Sequence, residues 1–379
     1  MVIYMVRMMH LAVFLCIPLG ICYFFYLKTA LDAFGKYRKT WWFHTIVVIA
    51  SLALGYLSTQ MFSFVGVVFL HLIVAFLLCR PVRWITCSVL KKKKAASLGK
   101  VKKWFDSGVL PILLVMVYLF VGHVNFMVVQ KTEYTVQTDK AIRTEGYRVA
   151  LVADVHYGIS LDGDQLRDKC EEIEAQRPDM VILCGDIVDD DTTPEQVKEV
   201  FAAFGGIKST FGTFYVHGNH DRPFTQVKDS LLSDFTEKDL LVAIESNGIT
   251  ILTDDVYEIA DDFVLVGRED PIAGARTPIE TLLADVDANA FILTLDHRPA
   301  EYIQNGKAGT DLLLSGHTHG GHLFPLNVVM KVFGINDAVY GYTQIDEDTA
   351  AIVTSGFAGW CYPVKTCAKS EYVIIDIKG

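Results

Sequence analysis

The chain has 379 residues, 51% of them hydrophobic and 21% charged, with a mean hydropathy of +0.32. That composition excludes a disordered chain, a collagen-like fibre and a small disulfide scaffold, because apolar burial on this scale offsets the entropy of ordering. The net charge of -10 conceals a split: residues 1–129 hold 14 Lys or Arg and two acids, a balance of +12, whereas residues 130–379 hold 20 basic and 42 acidic residues, a balance of -22. A carboxy-terminal part this acidic repels a phosphate backbone, so no nucleic-acid partner is expected.

Three stretches, 8–27, 40–79 and 107–130, contain no Asp, Glu, Lys or Arg. A helix crosses the roughly 30 Å apolar core of a bilayer with about 20 residues. The middle stretch of 40 residues would extend about 60 Å as one helix, so it is expected to bend at Ser58-Thr59-Gln60. Four spans are expected near 9–27, 42–58, 61–79 and 108–129. A cleaved signal peptide is the alternative for the first, but no small-residue cleavage site follows it. The basic residues cluster in 28–41 and 80–106, which therefore stay cytoplasmic and send everything beyond residue 130 to the extracytoplasmic side. His44, His71, His123 and Asn125 have no carboxylate to pair with inside the spans and read as interfacial or helix-packing residues. The run Lys91 to Lys94 reads as a topological anchor.

Residues 130–146, polar and mixed in charge, are expected to form a short tether. Beyond them, β-rich runs at 149–153, 180–184, 213–216, 263–266, 291–295 and 311–314 alternate with helical patterns at 166–176 and 194–204. Thr192 or Thr193 caps the second helix, with Pro194 in its first turn. The result is a layered α/β domain at 147–379. Five of the strands end in polar clusters: Asp154-Val155-His156, Gly185-Asp186-Ile187-Val188-Asp189, Gly218-Asn219-His220-Asp221, Asp296-His297 and Gly316-His317-Thr318-His319. Ligands of open α/β sheets bind at such strand ends. Carboxylate, imidazole and amide groups in this number exceed what one divalent ion with open positions can use. Two ions about 3.5–4 Å apart can lower the pKa of a trapped water and brace both oxygens of an in-line phosphoryl displacement. The glycines at 185, 218 and 316 suit sharp turns after strands.

The five blocks stand in the order D-x-H, G-D-x-x-D, G-N-H-D/E, H, G-H-x-H, and in this the chain resembles the calcineurin-like metallophosphoesterase superfamily over about 147–379. The GHTHGG run at 316–321, the LDHRP run at 295–299 and the stretch 355–363 are similar to its membrane-associated or exported bacterial phosphodiesterase branch. The resemblance implies an α/β/β/α sandwich behind the four-helix transmembrane bundle. It also implies that Asp154, His156, Asp186 and His319 hold one metal, with Asp186 bridging to a second held by Asn219, His297 and His317. His220 matches the non-ligand histidine that steadies the transition state or protonates the leaving oxygen, and Asp189 the acid that orients it.

Protein Ser/Thr phosphatases of the superfamily carry Asp-Arg-Gly where this chain has Asp189-Asp190-Asp191, which argues against a phosphoprotein substrate. Arg268 reads as a structural ion-pair partner before it reads as a substrate contact, and His217 and His322 read as neighbours of the ligands.

The expectation is a membrane-anchored hydrolase using two divalent ions (Mn, Fe or Zn, which accept overlapping ligands). A metal-activated hydroxide would cleave a phosphodiester or pyrophosphate bond of a substrate close to the membrane, such as a lipid-linked or cell-envelope one. Two alternatives remain open on sequence alone. One is a non-catalytic metal-binding sensor or partner module, against which His220 and Asp189 argue because metal binding needs neither. The other is a cytoplasmic-facing nucleotide phosphodiesterase.

Overall fold

The computed structural model describes residues 2–37, 39–60, 63–158, 161–222 and 235–379, with the side chains of the first helix described from residue 15. The chain divides into two compact units, Met1–Val121 and Gly122–Gly379.

The first unit is helical: α1 (Val2–Ala33), α2 (Trp41–Ser58), α3 (Phe64–Lys92), the short α4 (Leu98–Asp106) and most of α5 (Val109–Met127). Among the described residues, four stretches, Leu15–Ala33, Trp41–Ser58, Phe64–Lys92 and Val109–Met127, are long and apolar enough to cross a membrane. The chain breaks after Ser58 and Thr59, and α3 starts at a Ser63 cap whose hydroxyl accepts from the Gly66 N–H. The expected start of the third span at 61 and 62 lies outside the described residues. Helix α3 does not end with the apolar run at Cys79. It continues through the basic segment to Lys92, where Arg83 forms a two-pronged ion pair (2.6 and 2.7 Å) with Asp106 of α4. Tyr23, Tyr26, Ile73 and Phe76 form the core of this unit.

The described residues of the second unit form two six-stranded sheets. In chain order its elements are β1 (Gln130–Gln137), β2 (Tyr147–Val152), α6 (Gly163–Glu174), β3 (Met180–Cys184), α7 (Pro194–Gly205), β4 (Thr213–Val216), α8 (Glu237–Ser246), β5 (Thr250–Ile251), β6 (Asp255–Ala260), β7 (Phe263–Gly267), α9 (Ile279–Leu282), β8 (Phe291–Leu295), α10 (Tyr302–Ala308), β9 (Leu312–Ser315), α11 (Leu326–Phe333), β10 (Gly341–Gln344), β11 (Ala350–Val353) and β12 (Glu371–Lys378). The sheets run β1-β12-β2-β3-β4-β5 and β10-β11-β9-β8-β7-β6.

Leu151, Ile182 and Phe214 of the first sheet share one core with Leu265, Leu293, Leu314 and Ile352 of the second. The outer face of the first sheet is covered by Leu166, Phe201, Leu240 and Ile244 from α6, α7 and α8. Ile279 and Leu283 cover Val264, Val266 and Ile292 on the second. The domain is therefore an α/β/β/α sandwich. Strands β3 and β8 read as unbroken apolar runs because both of their faces are covered.

The expected tether is corrected by the structure. Its first half is β1, which pairs in parallel with β12 from Gln130↔Glu371 to Gln137↔Lys378. A strand at the margin of a sheet keeps one face wet, so the polar sequence that suggests a linker is compatible with strand. Helix α7 is capped by Thr193 rather than Thr192, in a reciprocal capping box with Gln196 and with Pro194 at its start.

Candidate metal centre

Strands β2, β3 and β4 are parallel neighbours, as are β7, β8 and β9, so the turns that bear the candidate ligands emerge at one edge of each sheet. These turns are held in costly backbone conformations. Asp154, His156, Asp186, His317 and His319 all have positive φ, between 42° and 69°. Such outliers in non-glycine residues persist where the surroundings over-determine them, and they concentrate at working sites.

Among the described residues, two donor groups draw on both sheets. Asp154 and His156 from the β2 turn meet His319 from the β9 turn, and Asp186 from the β3 turn meets His297 and His317. In each group the ligand atoms lie within 4.8 Å of one another. Asp186 lies between the groups: its Oδ2 is 3.1 Å from His297 Nε2 and 3.9 Å from His156 Nε2. Asn219 is on the β4 turn, and its Oδ1 is buried with no partner among the described residues. His220 and Asp189 meet at 3.0 Å, Nδ1 to Oδ1. The other oxygen of Asp189 is 3.1 Å from His156 Nδ1, a contact that the motif spacing does not reveal.

The ring orientations suit a cation. His297 Nδ1 donates to the Cys184 carbonyl at 2.8 Å and His319 Nδ1 to the Ala358 carbonyl at 3.4 Å, which leaves both Nε2 atoms facing inward. His156 Nε2 and His319 Nε2 are 3.3 Å apart, so something positive, a proton or a cation, must lie between their lone pairs. The orphaned Asn219 oxygen and these opposed nitrogens fit the proposed divalent ions.

Electrostatics separates the groups. Burial opposes a charge on His297, but the Asp186 carboxylate raises it to about 10. Burial likewise opposes a charge on His220, which Asp189 raises to about 9. Burial lowers His317 to about 3, helped by nearby His297, and it pushes His319 well below the usual imidazole range. Burial lifts Asp154 to about 6.

Of the three site glycines, Gly185 has a φ of 81°, as the turn argument requires, whereas Gly218 does not adopt positive φ. Gly218 is needed for a different reason: a Cβ there would lie 2.2 Å from Asp186 Oδ1.

Three further contributors were given no role by the sequence. The Asp221 carboxylate accepts from the N–H groups of Asp186, Ile187, Val188 and Gly218 at 2.6 to 3.1 Å, tying the β3 and β4 turns together. Its place in the G-N-H-D block is the one signal that could have pointed to it. The Trp360 ring lies 5.4 Å from that of His220. The buried Lys365 ammonium donates to the carbonyls of Ser355, Gly356 and Ala358. Arg268 is structural: it is buried, donates to the Thr277 carbonyl at 2.9 Å and lies 3.3 Å from Asp254. His217 is buried, and the His322 ring lies 5.6 Å from that of His319.

Residues 147–321 match the family model described as calcineurin-like phosphoesterase. An uncharacterised metallophosphoesterase of Campylobacter jejuni is 28% identical over 273 residues, covering 71% of this chain and 69% of that protein. A transmembrane protein with metallophosphoesterase domain from Danio rerio is 24% identical over 306 residues, covering 76% and 67%. The phosphodiesterase YaeI of Escherichia coli is 32% identical over 184 residues, covering 47% and 62%. The order of the donor blocks, their convergence at strand ends and these matches identify residues 147–321 as a calcineurin-like phosphoesterase domain.

Proposed function

We propose that this is a membrane-anchored phosphoesterase with two divalent ions, one held by Asp154, His156, Asp186 and His319 and the other by Asp186, Asn219, His297 and His317. The position of Asp186, within 4 Å of an imidazole nitrogen from each donor group, carries the reading. When bound, the two cations supply Lewis acidity and make a nearby water a nucleophile at neutral pH. Asp186 keeps the paired sites together, and the Cys184 and Ala358 carbonyls aim the His297 and His319 rings. His220, kept protonated near neutral pH by Asp189, holds a proton at Nε2 for the departing oxygen. Asp189, 3.0 Å from Nδ1, fixes the orientation of that ring while steering His156.

The bond broken is a phosphodiester or pyrophosphate. Supporting this are the acid at Asp190, where protein phosphatases of the superfamily have an arginine, and the likeness to a protein named a phosphodiesterase. The basic segments 28–41 and 80–106 support an extracytoplasmic active site. The native metals are drawn from Mn, Fe and Zn.

The purified chain should hydrolyse a chromogenic phosphodiester, lose that activity on chelation and regain it with one of these metals. Activity that survives exhaustive chelation would remove the metal mechanism. An impermeant thiol reagent on intact cells should label Glu133→Cys in a Cys361→Ser background; protection would place the domain on the cytoplasmic side.

A further inference from the structure

Among the described α-helices of the second unit, α11 differs from α6 to α10 in that none of its residues is buried. Its sequence, LNVVMKVF, contains one charge, Lys331, and Val332 and Phe333 are 72% and 75% exposed. Phe324, Leu326, Val328 and Ile335 extend the exposed apolar surface on both sides. Exposed apolar side chains gathered along one short segment of a folded domain mark a contact surface. The chain from Leu312 to Asn336 contains no Asp or Glu, in a part of the molecule that holds 42 acids. This is therefore a face that an otherwise acidic domain can bring to an anionic surface.

Hydrogen bonds within the second unit link α11 to the end of the apolar helix α5. Lys365 N–H donates to the Gly122 carbonyl, His123 Nδ1 meets the Pro363 carbonyl at 2.9 Å, and Ser370 donates to the carbonyls of Asn125 and Phe126. The same 363–370 segment holds the start of α11: Thr366 N–H donates to the His322 carbonyl, and Phe324 N–H donates to Thr366 Oγ1 at 2.9 Å. The apolar patch is thus continuous, through one bonded segment, with the last turns of a helix suited to cross the bilayer. On its other side, the turn that leads into it carries His319, a donor of the candidate metal centre.

We propose that α11, with Phe324 before it and Ile335 after it, lies in the headgroup layer of the bilayer that α5 enters. It sets the His319 side of the centre against the lipid surface. An amphipathic segment about 12 Å long suits an interfacial position, since it is too short to span. The substrate class is then a phosphoester carried by a membrane lipid; this part rests on the phosphoesterase reading above, and the docking face does not.

The test uses the full chain in vesicles of phosphatidylethanolamine and phosphatidylglycerol containing tritiated phosphatidylethanolamine. Benzoylphenylalanine is placed at Val332, at Phe333 or, as a control at the amino-terminal end of β4, at Lys208. Ultraviolet light should transfer labelled lipid to positions 332 and 333 at least tenfold more than to 208. Equal transfer at all three, or cross-links to a second copy of the chain in place of lipid, would overturn the docking face. The substrate part is read with one phosphodiester headgroup presented on long acyl chains in vesicles or as a water-soluble short-chain analogue. The vesicle form should show at least tenfold higher kcat/KM, and the double substitution Val332→Glu/Phe333→Glu should lower that ratio at least tenfold. An unchanged ratio would overturn the lipid assignment. Lipid transfer at 332 and 333 in a protein that hydrolyses neither form would uphold the docking face and overturn the phosphoesterase reading.

Discussion

Asp154, Asp186 and Asp189 all leave the sheet that contains β2 and β3, whereas, among the described residues, the sheet containing β8 and β9 contributes His297, His317 and His319 to the donor groups and no carboxylate. One half of the centre is anionic and the other is a set of largely neutral donors. His317 and His319 are held neutral by burial, and His297, opposite Asp186, is the member of that set that keeps a proton. Each donor group contains members from both sheets, so a bound cation would join the sheets at their shared edge. The carboxylate side should control charge and turnover, and the imidazole side mainly affinity.

Substitutions on the anionic side should have the largest effects. Asp186→Asn removes the shared negative ligand, and several kcal/mol of lost electrostatic stabilisation corresponds to a fall in kcat/KM on the order of 10⁴-fold. A fall under tenfold, with metal content unchanged, would end the contrast between the two sheets. His220→Asn should lower kcat by about 10²-fold and leave both metals in place, which elemental analysis alongside single-turnover rates would resolve.

Asp221→Asn weakens the anchor of four backbone N–H groups without touching a metal, and it should reduce metal affinity by about 10- to 100-fold, read by competition with a chelating dye.

The pH dependence is gentler. The His297 pKa is raised from 6.5 to about 10 in the metal-free fold. Its protonated form therefore stabilises that fold fully below pH 6.5, and this contribution is lost as pH rises through about 10. A cation has to displace the proton, so affinity should rise about tenfold per pH unit across that window, with about one proton released at this residue. Calorimetry in buffers of different ionisation heat would measure the release; none at pH 8 would show that His297 is already neutral.

The carboxyl ends of the buried strands were readable in the sequence because β3 and β8 are apolar on both faces and stop at the polar clusters that follow them. The amino-terminal helices were readable because charge is absent over whole spans, but the continuation of α3 to Lys92 was not, since helix and basic loop share the same residues there. Strand β1 was missed because Gln130, Lys131 and Glu133 carry no strand signal and its partner is β12, far along the chain. The ordered blocks pointed to the donor residues. The roles of Trp360 and Lys365 exist only in three dimensions: one acts through ring contact, the other through carbonyls that converge from a loop. The family resemblance implied that Asp189 serves His220, whereas its second contact, to His156, depends on how the β2 and β3 turns are folded against each other.

Strand β12 lies between β1 and β2, pairing with Gln130 through Glu371 on one side and with Leu151 through Val373 on the other. During synthesis both earlier strands must therefore wait, with open hydrogen-bonding edges, until the late strand arrives between them. Such non-local closure is slow and leaves the nascent sheet vulnerable to pairing with other chains. Biogenesis of this domain should thus depend on holding factors that shield those edges until residue 378 has been delivered.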